Sequence, residues 1–349
     1  MHSTSPAAVS APRLEAYPNN PVLTRVMRNG QVESQHRGAW VLVDTAGNVL
    51  DGMGAWNHPV FARSSTKSMQ GLPLLETGAA EKFKFDDAEI ALALASHDAE
   101  SCHTERVAAV LARLGLSKAD LQCGPQIPGG ADACKELLLK GEQPSALHNN
   151  CSGKHAGFLA LALHLGVDPA RYLEADSASQ KLVRKAVEEM TGATAQEFSV
   201  AIDGCSAPTF RLPLAKLATG LARVANPDGL PEKRRRACER MTAAAAAWPV
   251  MIAGSRGRLC TDLIRASEGR LFPKIGSEAV YVIGIRGADR GLAIKIDDGA
   301  YRGFNAVVIA LLQRFGWLSQ SAADSLSEWS AGPVLNYAGV EVGRLEVAV

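Results

Sequence analysis

The sequence predicts an α+β fold: an antiparallel sheet built from N- and C-terminal strands, covered by helices, with a helical region between them. Three observations carry this reading. β-rich runs lie at both ends of the chain, apolar residues recur at three-to-four spacing from about residue 64 to residue 268, and no long linker divides the two patterns.

The first sheet segment is "RGAWVLVDTAGNVLDGMG", Arg37 to Gly54, where two β-rich runs are broken by Ala46-Gly47-Asn48, a hairpin signal. Helical spacing then runs through "TKSMQGLPLLETG", "AEIALALASH", "TERVAAVLARLGL", "ASQKLVRKAVEEMTG" and "LPEKRRRACERMTAAAAAW". Sheet returns in "AVYVIGIRGADRGLAIKIDDG", Ala279 to Gly299, and again in "VEVGRLEVAV", with a helix-like run, "FNAVVIALLQRFGW", between. First and last segments are expected to share one sheet. Residues 1–17 read as a mobile N-terminal arm, and residues 18–349 as a single unit with a helical subregion.

Composition narrows the function. Lys+Arg 37 against Asp+Glu 36 gives a net charge of +1, so there is no sustained basic field for nucleic acid or an anionic membrane surface. No apolar run reaches membrane-spanning length, and the N-terminus lacks a charged region followed by an apolar one, so a cytoplasmic protein acting on a small polar substrate is expected. The basic stretch "EKRRRACERM" has Glu232 and Glu239 at helical spacing and reads as a solvated helix face. Seven cysteines, an odd number spread along the chain, are no disulfide framework, and reduced thiols follow.

Two constellations carry chemistry. "ARSSTKSMQ" contains Ser64 and Lys67 in S-x-x-K spacing, so the hydroxyl and the ammonium can approach on one face of a helix start. A serine hydroxyl attacks only when a base takes its proton, and lysine is that base only when its pKa is lowered. Ser96-His97-Asp98 follows the next helix-like run, and Lys274-Ile275-Gly276 is placed just before the late hairpin. S-x-x-K, a central serine and K-x-G in that order is the arrangement of serine β-lactamases and penicillin-binding proteins, although the central element is not S-D-N and the last is not K-T-G. The second constellation is "HNNCSGKHAGF" with "DGCSAP", which bring Cys151, Lys154, His155, Asp203 and Cys205. Two thiolates and a nitrogen suit zinc, and ligand preference alone favours His155, because lysine is normally protonated. Two merely buried cysteines are the competing reading.

"RSSTKSMQ", "ASHDAESCHTERV", "HNNCSGKHAGF", "DGCSAPTF", "LFPKIGSEAVY" and "LAIKIDDG", taken together, resemble the rhizobial-type, thermolabile class of L-asparaginase from about Tyr17 onward. The resemblance implies a serine β-lactamase-like fold, a homodimer, and hydrolysis of L-asparagine to L-aspartate and ammonia through an acyl-enzyme. It assigns the nucleophile to Ser64 with Lys67 beside it, and a second Ser-Lys pair to Ser96 and Lys274. It also implies one zinc ion held by Cys151, Lys154 and Cys205, in place of the His155 choice. His155 then becomes a neighbour of the metal or a substrate contact, with Asp203, Asn149 and Arg63 as further substrate-binding candidates. A broader amidohydrolase, acting on glutamine or β-lactams, and a catalytically silent zinc protein are the alternatives.

Overall fold

The structure, a computed structural model, describes residues 17–349; the expected N-terminal arm lies, apart from Tyr17, outside the described residues. The strands are β1 (Val22–Arg28), β2 (Gln31–Val43), β3 (Val49–Met53), β4 (Pro59–Phe61), β5 (Ser199–Ile202), β6 (Pro208–Pro213), β7 (Leu271–Gly276), β8 (Val280–Ile285), β9 (Gly291–Ile296), β10 (Gly332–Leu335) and β11 (Glu341–Val347). The main sheet has eight strands in the order β10-β11-β1-β2-β9-β8-β7, with β3 also on β2. Its pairings are antiparallel, and the two ends of the chain meet in it, Thr24 opposite Val347. The α+β class and the shared sheet are therefore as the sequence indicates.

β2 is long enough to serve several partners. Residues 31–37 pair with β1, residues 38–43 with β9, and residues 40–43 with β3 through the expected hairpin. β8 and β9 read "VYVIGI" and "GLAIKI" and are buried at every position. Such runs need cover on both faces. β9 touches both the helix Leu214–Ala225 and the helix Tyr301–Arg314. The first of these lies so close that a Cβ on Gly291 would sit 2.4 Å from the Ala218 carbonyl oxygen, and one on Gly284 2.8 Å from that of Leu221. Glycine is required there by backbone approach.

The helical region is organised around the helix Ser152–His164, buried without interruption from Ser152 to Ala162. A helix apolar on all sides belongs inside, and the helices Asp87–Ala93, Ser101–Arg113 and Ala178–Thr191 pack against it. Gly153 permits the closest of these contacts, because its Cβ would fall 2.3 Å from the Leu92 carbonyl oxygen. Asp87–Ala93 begins in a capping box: the Asp86 carboxylate accepts from Glu89 N–H and the Glu89 carboxylate from Asp86 N–H. It ends at Leu94 and hands the chain to Ala95–Asp98.

Several expectations are corrected. The stretch from 64 to 268 is interrupted by β5 and β6, which form a small second sheet, β4-β6-β5, with the preceding β4; strands of three to six residues are too short for period-two alternation to show. Sheet returns at Leu271 rather than Ala279, so Lys274-Ile275-Gly276 lies within β7, not ahead of a strand. Pro273 and a continuous apolar run hid that strand. The basic run forms the exposed face foreseen, Arg235 and Arg236 pairing with Glu232 and Glu239. Arg234 instead reaches Glu76 and Glu189 and ties three helices together. Among the described residues no helix is long and apolar enough to cross a membrane.

Candidate active site

Ser64 sits on a 3-10 turn, Arg63–Thr66, that leads into a helical turn beginning at Lys67. The turn is entered through Arg63 in the left-handed region, φ 51°, a conformation a non-glycine residue keeps only when its surroundings hold it. Those surroundings are identifiable. Ser65 Oγ donates to Ala62 O at 2.6 Å, Thr66 Oγ1 donates to Arg63 O at 3.1 Å, and Arg63 Nε donates to the Asp203 carboxylate at 2.6 Å. The end of β7 closes on the turn, and a Cβ on Gly276 would stand 2.7 Å from Ala62 O. K-x-G thus has a steric reason for its glycine.

The second serine arrives on the loop after Leu94. Ser96 N–H donates to Ile252 O, His97 N–H to Asn150 O and Asp98 N–H to Ala253 O, so the loop is pinned on both sides. Lys67 Nζ donates to Ala95 O and, at 3.1 Å, to Ser96 Oγ. Lys274 Nζ donates to the same Ser96 Oγ at 2.8 Å and to Ile275 O at 3.0 Å. The structure therefore brings Ser96 and both lysines together. Ser64 Oγ makes no hydrogen bond to Lys67; a buried ammonium needs several acceptors, and the Ala95–Ser96 loop supplies two where Ser64 would supply one. Ser64 stays unengaged on the wall of a cavity of about 490 Å³, which is also lined by Ser96, Asp98, Asn150, Arg258 and Tyr301.

Both lysines are buried, 1 % exposed. Burial pushes the Lys274 pKa well below the ordinary lysine value, and the nearby Lys67 charge pushes the same way. Lys67 is also lowered, by burial first, with Cys151 opposing and Lys154 reinforcing the shift. Two ammonium groups on one hydroxyl repel, so a neutral amine at this site is the cheaper state. His97 donates through Nε2 to Ser152 Oγ at 2.9 Å while its Nδ1 accepts from Ala99 N–H at 3.1 Å, and burial holds it neutral.

Behind Lys67 lies the sulfur and nitrogen cluster. Cys151 precedes the buried helix, Lys154 sits in its first turn, and Cys205 comes from the turn between β5 and β6. Lys154 Nζ lies 3.3 Å from Cys205 Sγ. Cys151 Sγ donates to Asn150 Oδ1 at 3.1 Å; its neighbour Cys205 holds the Cys151 thiol well below the ordinary pKa, and Cys151 in turn raises Cys205. For Lys154, burial acts to lower the pKa, but Cys151, Cys205 and Asp203 outweigh it. The two sulfurs suit zinc, whereas the Lys154 amine, kept protonated by its neighbours, could join them only if binding expelled its proton along with the remaining thiol proton.

Other expected contacts lie elsewhere. His155 turns into the core, its Nδ1 2.6 Å from Tyr172 OH, and is fully buried, so it neither joins the sulfurs nor faces the cavity. Asn149 spends its amide on Cys123 O and Gly124 O and accepts from Cys151 N–H; its neighbour Asn150 faces the cavity. Arg63 and Asp203 neutralise each other, and neither lines the cavity.

The sequence reading missed Arg258. Its guanidinium donates to the Asp98 carboxylate, to Ser96 O at 2.7 Å and to Ala253 O at 3.2 Å. Burial raises the Asp98 pKa against the pull of Arg258. Asp98 was within reach of inspection, two residues after Ser96, whereas Arg258 lies in "GSRGRL", which has no periodicity and no chemical signature.

A family model described as L-asparaginase II matches residues 24–347. Among curated proteins no relative matches. Among solved structures, a β-lactamase from Mycobacterium bovis is similar with a TM-score of 0.41 and 14% identity over 80% of this chain and 94% of its own. A putative β-lactamase from Bacteroides dorei has a TM-score of 0.41 and 12% identity over 75% of this chain and 87% of its own.

Proposed function

The chain belongs to the L-asparaginase II family and is an L-asparaginase, and on that premise we propose that it hydrolyses L-asparagine through an acyl-enzyme on Ser64. The observation that supports this most directly is Ser96 Oγ held between Lys67 and Lys274 on the same cavity wall as the unengaged Ser64 hydroxyl.

In this reading a neutral lysine amine takes the Ser64 proton as Oγ bonds to the side-chain carbonyl carbon of asparagine. Lys67, one helical turn from Ser64, is closest along the chain, and hydrogen bonds of this kind tighten only when substrate is bound. The proton passes over Ser96 between the two amines and is delivered to the departing nitrogen. The C–N bond breaks, ammonia leaves, and an ester remains on Ser64. Water, deprotonated by the same relay, then cleaves the ester to give aspartate and free Ser64. Asp98 and Arg258, facing the cavity, suit the substrate's α-ammonium and α-carboxylate groups.

Cys151, Cys205 and Lys154 would hold the zinc ion. Bound there, it would neutralise the sulfur charge that otherwise favours the Lys67 ammonium, and so would favour the neutral amine. We also read the protein as cytoplasmic, in keeping with seven cysteines that are all free, and, from the family resemblance, as a homodimer.

A second reading makes Ser96 the nucleophile, since it alone is hydrogen-bonded to both lysines. Quenching turnover of asparagine and mapping the acylated peptide by mass spectrometry separates the two. An adduct on the Ser64 peptide, lost in Ser64→Ala, supports the first; an adduct on the Ser96 peptide overturns it.

A further inference from the structure

A second group of metal-ligand side chains lies outside the catalytic cluster, at the start of the helix Ser101–Arg113. One ligand atom each from Glu100, Cys102 and His103 lies within 4.8 Å of the other two, the only such trio of His, Cys, Asp and Glu side chains among the described residues. A helix start with an acidic residue is common and means little by itself. What sets this one apart is His103.

His103 is fully buried. Its Nε2 lies 2.9 Å from the Val250 carbonyl oxygen, which can only accept, so Nε2 carries the proton and Nδ1 the lone pair. That Nδ1 is buried and has no hydrogen-bond partner. Leaving such an acceptor unsatisfied is costly, and an imidazole whose far nitrogen is fixed by a backbone carbonyl is the usual setting of a metal-bound histidine. Glu100 is oriented independently: its Oε1 accepts from Ser255 N–H at 2.6 Å, while Oε2 lies 4.0 Å from Cys102 Sγ. Glu100 and Cys102 are only partly buried, which leaves a path for an ion from solvent.

We propose that Glu100, Cys102 and His103 form a second divalent transition-metal site, separate from the Cys151, Lys154 and Cys205 cluster. Carboxylate, thiolate and imidazole together select zinc, cobalt or nickel over calcium or magnesium. One carboxylate and one thiolate balance the +2 charge; the Cys102 thiol gives up its proton to solvent as its sulfur bonds to the metal, and water completes the tetrahedron. Donors at zinc distances stand about 3.5 Å apart, so the three must draw in by about 1 Å, which short rotations of Glu100 and Cys102 allow. Occupancy would tie Glu100 to the helix start. Because Ser96 and Asp98 lie just before it, the metal would steady the loop that carries Ser96.

The test uses the complete chain, freed of metal and titrated with Co2+, with metal stoichiometry and thiolate-to-cobalt charge-transfer absorption as readouts. The site predicts that Cys102→Ala and His103→Ala each lose one equivalent of Co2+ relative to the unmutated protein, while Cys151→Ser with Cys205→Ser leaves one equivalent and a charge-transfer band. Unchanged stoichiometry in both Cys102→Ala and His103→Ala overturns the proposal. Loss of all binding in the Cys151/Cys205 variant, with its circular dichroism intact, also overturns it. Should the catalytic cluster bind nothing, the total falls from two equivalents to one, and that one still disappears with Cys102→Ala. Far-ultraviolet circular dichroism and thermal melts of each variant show that lost binding is not lost folding.

Discussion

Lys67 and Lys274 donate to one hydroxyl, Ser96 Oγ, at 3.1 and 2.8 Å, from a helical turn and a strand that the sequence places far apart. Both are buried, and two adjacent ammonium groups in that setting repel, which favours the neutral amine that the proposed mechanism needs as its base.

The pH profile reports this. Lys274 has a pKa depressed well below 10.5, chiefly by burial, so kcat/KM is expected to fall as pH drops through that depressed value and the amine protonates. Lys274→Arg stays charged and should lose activity by about 10²-fold or more at every pH, with the acid limb gone. A limb unchanged in that variant would show that another group is titrating. Stability follows with the same sign. Between the depressed folded pKa and the unfolded 10.5, the unfolded chain binds more protons, so stability rises with pH in that window. Melts of Lys274→Met should lack this rise.

Gly153→Ala tests the helix packing that carries Cys151 and Lys154. A Cβ 2.3 Å from the Leu92 carbonyl oxygen meets backbone, which cannot rotate away. Overpacking of this kind costs about 1–3 kcal/mol, so thermal unfolding should show a lower midpoint. An unshifted midpoint would mean that the two helices part without cost.

Arg258→Met leaves Asp98 without its cationic partner, beside Ser96 O. The expected result is a rise in KM for asparagine of about 10–100-fold and a fall in kcat from the misplaced serine. Asp98→Asn keeps the hydrogen bond to Arg258 and should raise KM while sparing kcat. Steady-state kinetics on the two variants distinguish loss of binding from loss of loop position.

Cys151→Ser and Cys205→Ser are each expected to lose one equivalent of zinc, read by metal analysis of the purified protein. Strong chelation of the unmutated protein should raise KM or lower kcat, with recovery on adding zinc back. Recovery absent in both Cys variants but present in His155→Gln would fit the Lys154 donor set, because His155 is committed to Tyr172.

Much of the fold was legible because its signals are local. The hairpin at Ala46-Gly47-Asn48, the helix from Tyr301 and the solvated face at Arg235 and Arg236 follow from periodicity and turn chemistry within a few residues. β5 and β6 escaped notice because four and six residues in a sheet of three strands leave no alternation to see. The small residues at 153, 276, 284 and 291 could be read as glycines, but their necessity depends on backbones that arrive from elsewhere.

By itself the sequence determined the α+β class, the residue types of the site, and the resemblance that groups Ser64, Lys67, Ser96 and Lys274 with Cys151, Lys154 and Cys205. Only the tertiary structure decided how they pair. Lys67 turned to Ser96 instead of Ser64, Arg63 found Asp203, Asn149 and His155 were absorbed into the interior, and Arg258 entered the cavity wall. The reason is physical: spacing along a helix fixes which side chains can share a face, whereas a buried charge chooses its partner from whatever acceptors the packed loops bring within about 3 Å.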